Sequence, residues 1–149
     1  MPQIQIGKTV KMILESKPSQ VWSVSPNTPV IDALALMAEK GIGAVLVMED
    51  EKVVGIMSER DYARKIALKG KTATSTPVSE IMTEHVIYVE PSQPIEEIMA
   101  LMVGKHIRHL PVLEDGKLIG IISIGDVVRA LISEQQLLIE QLESYIRGY

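Results

Sequence analysis

Two short segments carry the residue types best suited to recognition chemistry. Ser58-Glu59-Arg60-Asp61 and Ser123-Ile124-Gly125-Asp126 each set a hydroxyl three residues before a carboxylate, and they lie 65 positions apart. A Ser followed at this spacing by an acid is a capping box, which starts a helix by satisfying two orphan amides. The same geometry can bind a ligand. A hydroxyl and unpaired N–H groups at a helix start can hold phosphate, while a carboxylate takes ribose hydroxyls. Asp61 suits the sugar better than the phosphate, because two anions facing each other repel.

Other chemistries find less support. His106-Ile107-Arg108-His109 puts two of the three histidines three residues apart, without a third ligand to complete a metal site. Gly41-Ile42-Gly43 precedes a strand-like run, whereas a dinucleotide-binding glycine loop follows one. No nucleophile–base constellation, Walker-type loop or Gly-x-Ser-x-Gly elbow is present, so the chain does not read as an enzyme.

The elements that must position these residues occur twice. Sliding the sequence by 65 lays Val24–Arg64 on Val89–Arg129 without a gap, and 17 of the 41 columns are identical. Each copy begins with a short strand, Val21–Val24 or Val86–Val89, followed by a helix whose first position is Pro29 or Pro94. Apolar residues at Val30, Ala33, Leu34 and Met37, and at Ile95, Ile98, Met99 and Met102, give helical spacing. Two apolar runs joined by a charged turn then read as a hairpin, Ala44–Met57 or Leu110–Ile122. A second helix starts near Asp61 and near Asp126. Each copy is therefore β-α-β-β-α, too small to hold a core alone.

The predicted fold is α/β, of the α+β type: two pseudo-symmetric repeats packed sheet to sheet, with flanking N- and C-terminal helices. Residues 1–20 form the lead-in, with an amphipathic helix over Lys8–Lys17. The first repeat covers 21–69, a polar linker 70–80, the second repeat 81–132 and a C-terminal helix 133–149. Leu137, Leu138, Ile139, Leu142 and Ile146 on that last helix need a surface to cover them, either a second copy in a homodimer or their own chain folded back.

The chain has 149 residues, 46% of them hydrophobic, with no Phe, one Trp, eight Met and a net charge of −4. Aliphatic residues and Met must therefore build the interior. The absence of cysteine excludes disulfide scaffolds and thiolate chemistry, and it fits a reducing compartment. No uncharged apolar run approaches the roughly 18 residues of a membrane span. No apolar stretch follows the first charge as a signal peptide requires. A mildly acidic balance argues against nucleic acid as a partner. The expected location is the cytoplasm.

The repeat also carries a family resemblance. Val-x-Val-x-Pro before a helix, then Arg108-His109-Leu110-Pro111-Val112, then Leu118 to Asp126 through Ser123-Ile124-Gly125, resembles a CBS domain. The first copy matches through Val54-Gly55-Ile56-Met57-Ser58-Glu59-Arg60-Asp61, but has Gly43-Ala44-Val45-Leu46 where the second has Leu-Pro. The chain thus resembles a tandem pair, or Bateman module, of the stand-alone bacterial or archaeal kind. The resemblance implies two clefts between the repeats, each combining the Ser-x-x-Asp of one copy with the first strand and helix-to-strand loop of the other. It also implies an adenosine-containing ligand such as AMP, ADP, ATP, NAD(H) or S-adenosylmethionine. Repetition and resemblance together favour the recognition reading of the two Ser-x-x-Asp segments.

On this basis the main cleft is expected to use Ser58, Glu59, Arg60, Asp61, Ile87, Tyr88, Arg108, His109, Leu110 and Pro111, with the arginines gripping phosphate. A weaker second cleft would use Trp22, Ser23, Gly43, Ala44, Ser123 and Asp126. No metal is expected in either. The function that follows is a non-enzymatic sensor of adenine nucleotides. The alternative is a structural dimerisation module that regulates a partner without a small ligand.

Overall fold

The repeat dictates two similar cores, and the computed structural model, which describes residues 8–18 and 20–147, divides into two compact units. The first seven residues of the lead-in, residue 19 and the last two residues of the C-terminal segment lie outside the described residues.

The unit Val21–Ile87 holds β1 (Ser23–Val24), α2 (Val30–Lys40), β2 (Ala44–Glu49), β3 (Lys52–Ser58) and α3 (Glu59–Tyr62), with α1 (Val10–Glu15) belonging to the other unit. Strand β1 pairs parallel with β2, and β2 pairs antiparallel with β3. The remaining unit holds α1, α4 (Ile95–Lys105), β4 (His109–Glu114), β5 (Lys117–Ser123) and α5 (Ile124–Ile146), with β4 antiparallel to β5. The hairpin reading holds in both units, and each hairpin carries a register irregularity at the same place, Val47/Met48 and Val112/Leu113.

Three expectations need correction. The first strand of each copy is shorter than its apolar run. Only Ser23 and Val24 form a strand, and in the second copy Val89 makes a single parallel bridge to Val112. Pro29 and Pro94 stand one position earlier, as extended N-caps, so that their missing N–H falls just outside the helix. The stretch from Ser133 onward is no separate helix: α5 runs unbroken for 23 residues. In the first copy α3 instead passes at once into a π-helical turn, Ala63–Ala67.

The cores correspond position by position. Val30, Ala33, Met37, Val45, Val47 and Met57 of the first copy match Ile95, Ile98, Met102, Leu110, Val112 and Ile122 of the second, and all are buried. Met fills sites where aromatic bulk is missing.

The last pieces of each core come from an unexpected source. Val78 in the expected linker and Ile81 at the first position of the expected second repeat complete the core of the first. Val10 and Ile13 on α1, which precede the first repeat, are buried in the unit of the second. Backbone bonds repeat this exchange: Val78 N–H donates to the Thr28 carbonyl and Val10 N–H to the Gln93 carbonyl. The segment 70–80 is therefore no free linker. The Ala73 and Thr76 carbonyls accept from Ile31 and Val30, satisfying orphan amides at the start of α2.

Candidate functional site

Both Ser-x-x-Asp segments fold as capping boxes. Ser58 is the N-cap of α3; its Oγ accepts from Asp61 N–H at 3.2 Å, and Asp61 Oδ2 accepts from Ser58 N–H at 2.9 Å. Ser123 caps α5 in the same way, at 3.2 and 2.8 Å. Each box lies at the end of the hairpin that precedes it, so the hairpin's register fixes where the carboxylate stands.

That register determines each box's neighbours. Ala44 pairs with Ser58, and Glu59 N–H donates to the Gly43 carbonyl, so Gly43 and Ala44 flank the first box. His109 pairs with Ser123, and Ile124 N–H donates to the Arg108 carbonyl, so Arg108 and His109 flank the second. Within each unit, a box thus sits beside the helix-to-strand loop of its own copy. The expected main grouping joins residues of both units: Ser58 to Asp61 and Ile87 belong to one, Tyr88 and Arg108 to Pro111 to the other. Leu110 and Pro111 are buried, while Tyr88, Arg60 and Arg108 are exposed. In the weaker set, Ser23 is exposed on β1, and the half-buried Trp22 ring carries the Lys40 ammonium 4.2 Å from its centroid. That ring is a cation–π platform already in use.

The two carboxylates differ in how firmly they are held. Asp61 Oδ2 also accepts from the Ser58 hydroxyl at 3.1 Å, and Oδ1 faces Lys65, one helical turn on, at 3.3 Å. Lys65 is 44% exposed and also donates to the Ile81 carbonyl. Asp126 is gripped more tightly: Lys17 Nζ reaches Oδ2 at 2.8 Å and also donates to the Ile121 carbonyl, while Arg129 reaches Oδ1 at 2.8 Å. Burial pushes Asp126 up, but the Lys17 hydrogen bond, with those from Ser123 and the Lys17 charge, outweighs it and leaves the carboxyl below its usual value. Burial also holds the His109 imidazole below its ordinary value against the pull of Asp126, with Lys17 and Arg108 adding to the depression.

Lys17 and Lys65 were not among the expected site residues. Lys65 could have been read from its i+4 spacing to Asp61 on a helix. Lys17 could not, since it comes from the lead-in, 109 residues away from Asp126. Among the described residues no group of three or more His, Asp or Glu side chains could hold a metal ion, and no helix is long and apolar enough to cross a membrane.

Comparison with known proteins identifies the repeat. A CBS-domain family model matches residues 16–68 and 78–133. The chain is 39% identical over 150 residues to the mitochondrial CBS domain-containing protein CBSX3 of Arabidopsis thaliana, covering 94% of this chain and 72% of that one. A putative signal-transduction protein with CBS domains from Burkholderia ambifaria is 53% identical, with a TM-score of 0.83 over 86% of this chain and 96% of that one. The CBS domain pair of protein MJ0100, in complex with 5′-methylthioadenosine and S-adenosyl-L-methionine, is 26% identical, with a TM-score of 0.73 over 89% and 99% of the two chains. With two matched repeats covering most of its length, the chain belongs to the CBS-domain family.

Proposed function

We propose that the protein is a non-enzymatic regulatory module that binds an adenine-containing ligand, of the AMP, ADP, ATP or NAD(H) type, at its Ser-x-x-Asp boxes. The observation that carries this reading is the state of the two carboxylates. Each is fixed by its own capping amides and neutralised by a lysine, so that a ribose diol could replace an ammonium without the helix start being undone. The adenosine-type ligands named for the MJ0100 pair support the class of ligand.

The main site is assigned to Ser58, Glu59, Arg60 and Asp61, together with Ile87, Tyr88, Arg108, His109, Leu110 and Pro111. Asp61 gives up only one partner, at 3.3 Å, whereas Asp126 must release Lys17 or Arg129, both at 2.8 Å. Arg60 and Arg108 have no ion pair among the described residues and suit a phosphate. The weaker site is assigned to Trp22, Ser23, Gly43, Ala44, Ser123 and Asp126. The protein acts in this reading as a homodimer in the cytoplasm, and the absence of cysteine fits a reducing compartment.

A thermal-shift series with AMP, ADP, ATP, NAD, NADH and S-adenosylmethionine tests the reading. A ligand at a hundredfold excess over Kd stabilises the fold by about 2.7 kcal/mol. Asp61→Asn should remove about half of the shift, since a tenfold loss of affinity leaves about 1.4 kcal/mol. Arg108→Ala should reduce it as well, and Ser123→Ala with Asp126→Ala should remove a smaller part. No shift with any compound would leave the alternative, a structural dimerisation module.

A further inference from the structure

Helix α5 carries more apolar surface than its own unit uses. Val127 is buried and Leu131 and Leu138 are half-buried, while Glu134 and Gln141 on the same side are engaged within the protein. A second line of residues runs about 100° further round the helix. It consists of Val128, Ile132, Gln135, Ile139, Leu142 and Ile146, separated by steps of four, three, four, three and four. Its apolar members are 39%, 51%, 54%, 41% and 81% exposed in that order.

We propose that this line is the seam of a parallel, in-register two-stranded coiled coil with the α5 helix of a second copy. The proposal deepens the homodimer part of the functional reading by assigning its interface, and it does not depend on the ligand. Alternating three- and four-residue steps are the heptad pattern, and the residue types sort by position. Ile132, Ile139 and Ile146 occupy the a sites, and Val128, Gln135 and Leu142 the d sites. β-Branched residues at a with Leu at d favour two parallel strands.

Register follows from Gln135. In a parallel, in-register pair the two Gln135 amides meet and hydrogen-bond each other across the seam, whereas an antiparallel pair centred on Ile139 separates them and sets each beside Leu142 and level with Glu143. Charge agrees. Glu143 at an e site faces Leu138 of the other helix rather than an acid, and Glu134 and Glu140 lie off the seam. At those fractional exposures the five apolar side chains offer roughly 450 Å² per copy, so two copies cover about 900 Å² before the flanking Gln135, Gln136 and Glu143 are added. That approaches the ~1,200 Å² at which specific interfaces begin.

The absence of cysteine makes the test clean. The full chain sediments as a dimer in analytical ultracentrifugation. Ile139→Asp with Ile146→Asp, both at exposed positions, lowers the apparent dimer affinity at least a hundredfold, with an unchanged circular dichroism spectrum. Gln135→Leu, which replaces the seam amide by an apolar d residue, tightens the dimer. Leu142→Cys gives a disulfide-linked dimer on mild oxidation, while Leu137→Cys, on the opposite side of the helix, does not. A monomeric wild-type chain overturns the proposal and the homodimer reading together. A dimer that survives the two Asp substitutions, or cross-links as readily at 137 as at 142, overturns the proposed seam alone.

Discussion

Lys17 is the residue whose removal most sharply tests the electrostatic picture of the second box. It bridges the lead-in to that box by two hydrogen bonds, to Asp126 Oδ2 at 2.8 Å and to the Ile121 carbonyl at 3.0 Å. In Lys17→Met the aliphatic stem is kept and both bonds are lost. A charge-assisted bond contributes about 1.5–3 kcal/mol when well shielded and under 1 kcal/mol when exposed. Lys17 is 30% exposed and Asp126 11%, so the loss at pH 7 should be about 1–2 kcal/mol. A double-mutant cycle with Asp126→Asn isolates the pair and should give a coupling of about 0.5–1.5 kcal/mol. The Asp126 carboxyl is held low, so its contribution is complete above its unfolded pKa near 3.8 and disappears as pH falls through the folded value. The coupling should therefore vanish in strong acid. Urea denaturation of the four proteins at pH 7, with an NMR titration of Asp126, provides the measurement. A coupling below about 0.3 kcal/mol, or an Asp126 pKa unmoved by Lys17→Met, would refute the reasoning, since the pair would then be an ordinary surface contact.

His109 is held neutral by burial, so its contribution is complete above its unfolded pKa of 6.5 and is lost as pH falls toward the lower folded value. His109→Gln should flatten the decline in urea midpoint below pH 6.5. A Cβ at Gly55 would lie 2.5 Å from Met82 Sδ and 3.1 Å from the Thr83 carbonyl oxygen, whereas one at Gly120 meets only the Leu14 side chain, nearest at 2.6 Å. Gly55→Ala should therefore cost about 1–3 kcal/mol, and Gly120→Ala less, by denaturant titration. His106 and Glu51 hold left-handed conformations, φ 56° and 65°, where the other copy has Gly41 and Gly116. His106→Gly and Glu51→Gly should each stabilise the fold by about 0.5–1 kcal/mol, read as a higher Tm.

Much of this was legible in the sequence because both copies state it. The helices, the hairpins and their tips recur at one offset, and the capping boxes are local patterns of four residues. What the sequence hid was non-local. The 65-residue offset could not reveal that Val10, Ile13 and Leu14 correspond to Val78, Ile81 and Met82, since that correspondence runs at 68. The lead-ins therefore read as a flanking helix and a linker, although each completes the core of the other repeat. Lys17 was hidden for the same reason. The first strands are shorter than their apolar residues suggest: Val21 and Val86 are apolar enough for a strand, yet the ladder formed there is only two residues long in one copy and a single bridge in the other. Leu110 and Pro111 illustrate a further limit: an apolar pair beside a loop could line a ligand or fill a core, and here it is buried.

The central claim is that a carboxylate beside each helix start recognises a ribose diol. Isothermal titration of the wild-type chain and Asp61→Asn with AMP and with 2′-deoxy-AMP tests it most directly. The wild type should bind AMP about tenfold more tightly than its deoxy analogue, the worth of one hydrogen bond to a charged group, and Asp61→Asn should lose that preference. Equal affinity of the wild type for both nucleotides, or a preference that survives Asp61→Asn, would contradict it.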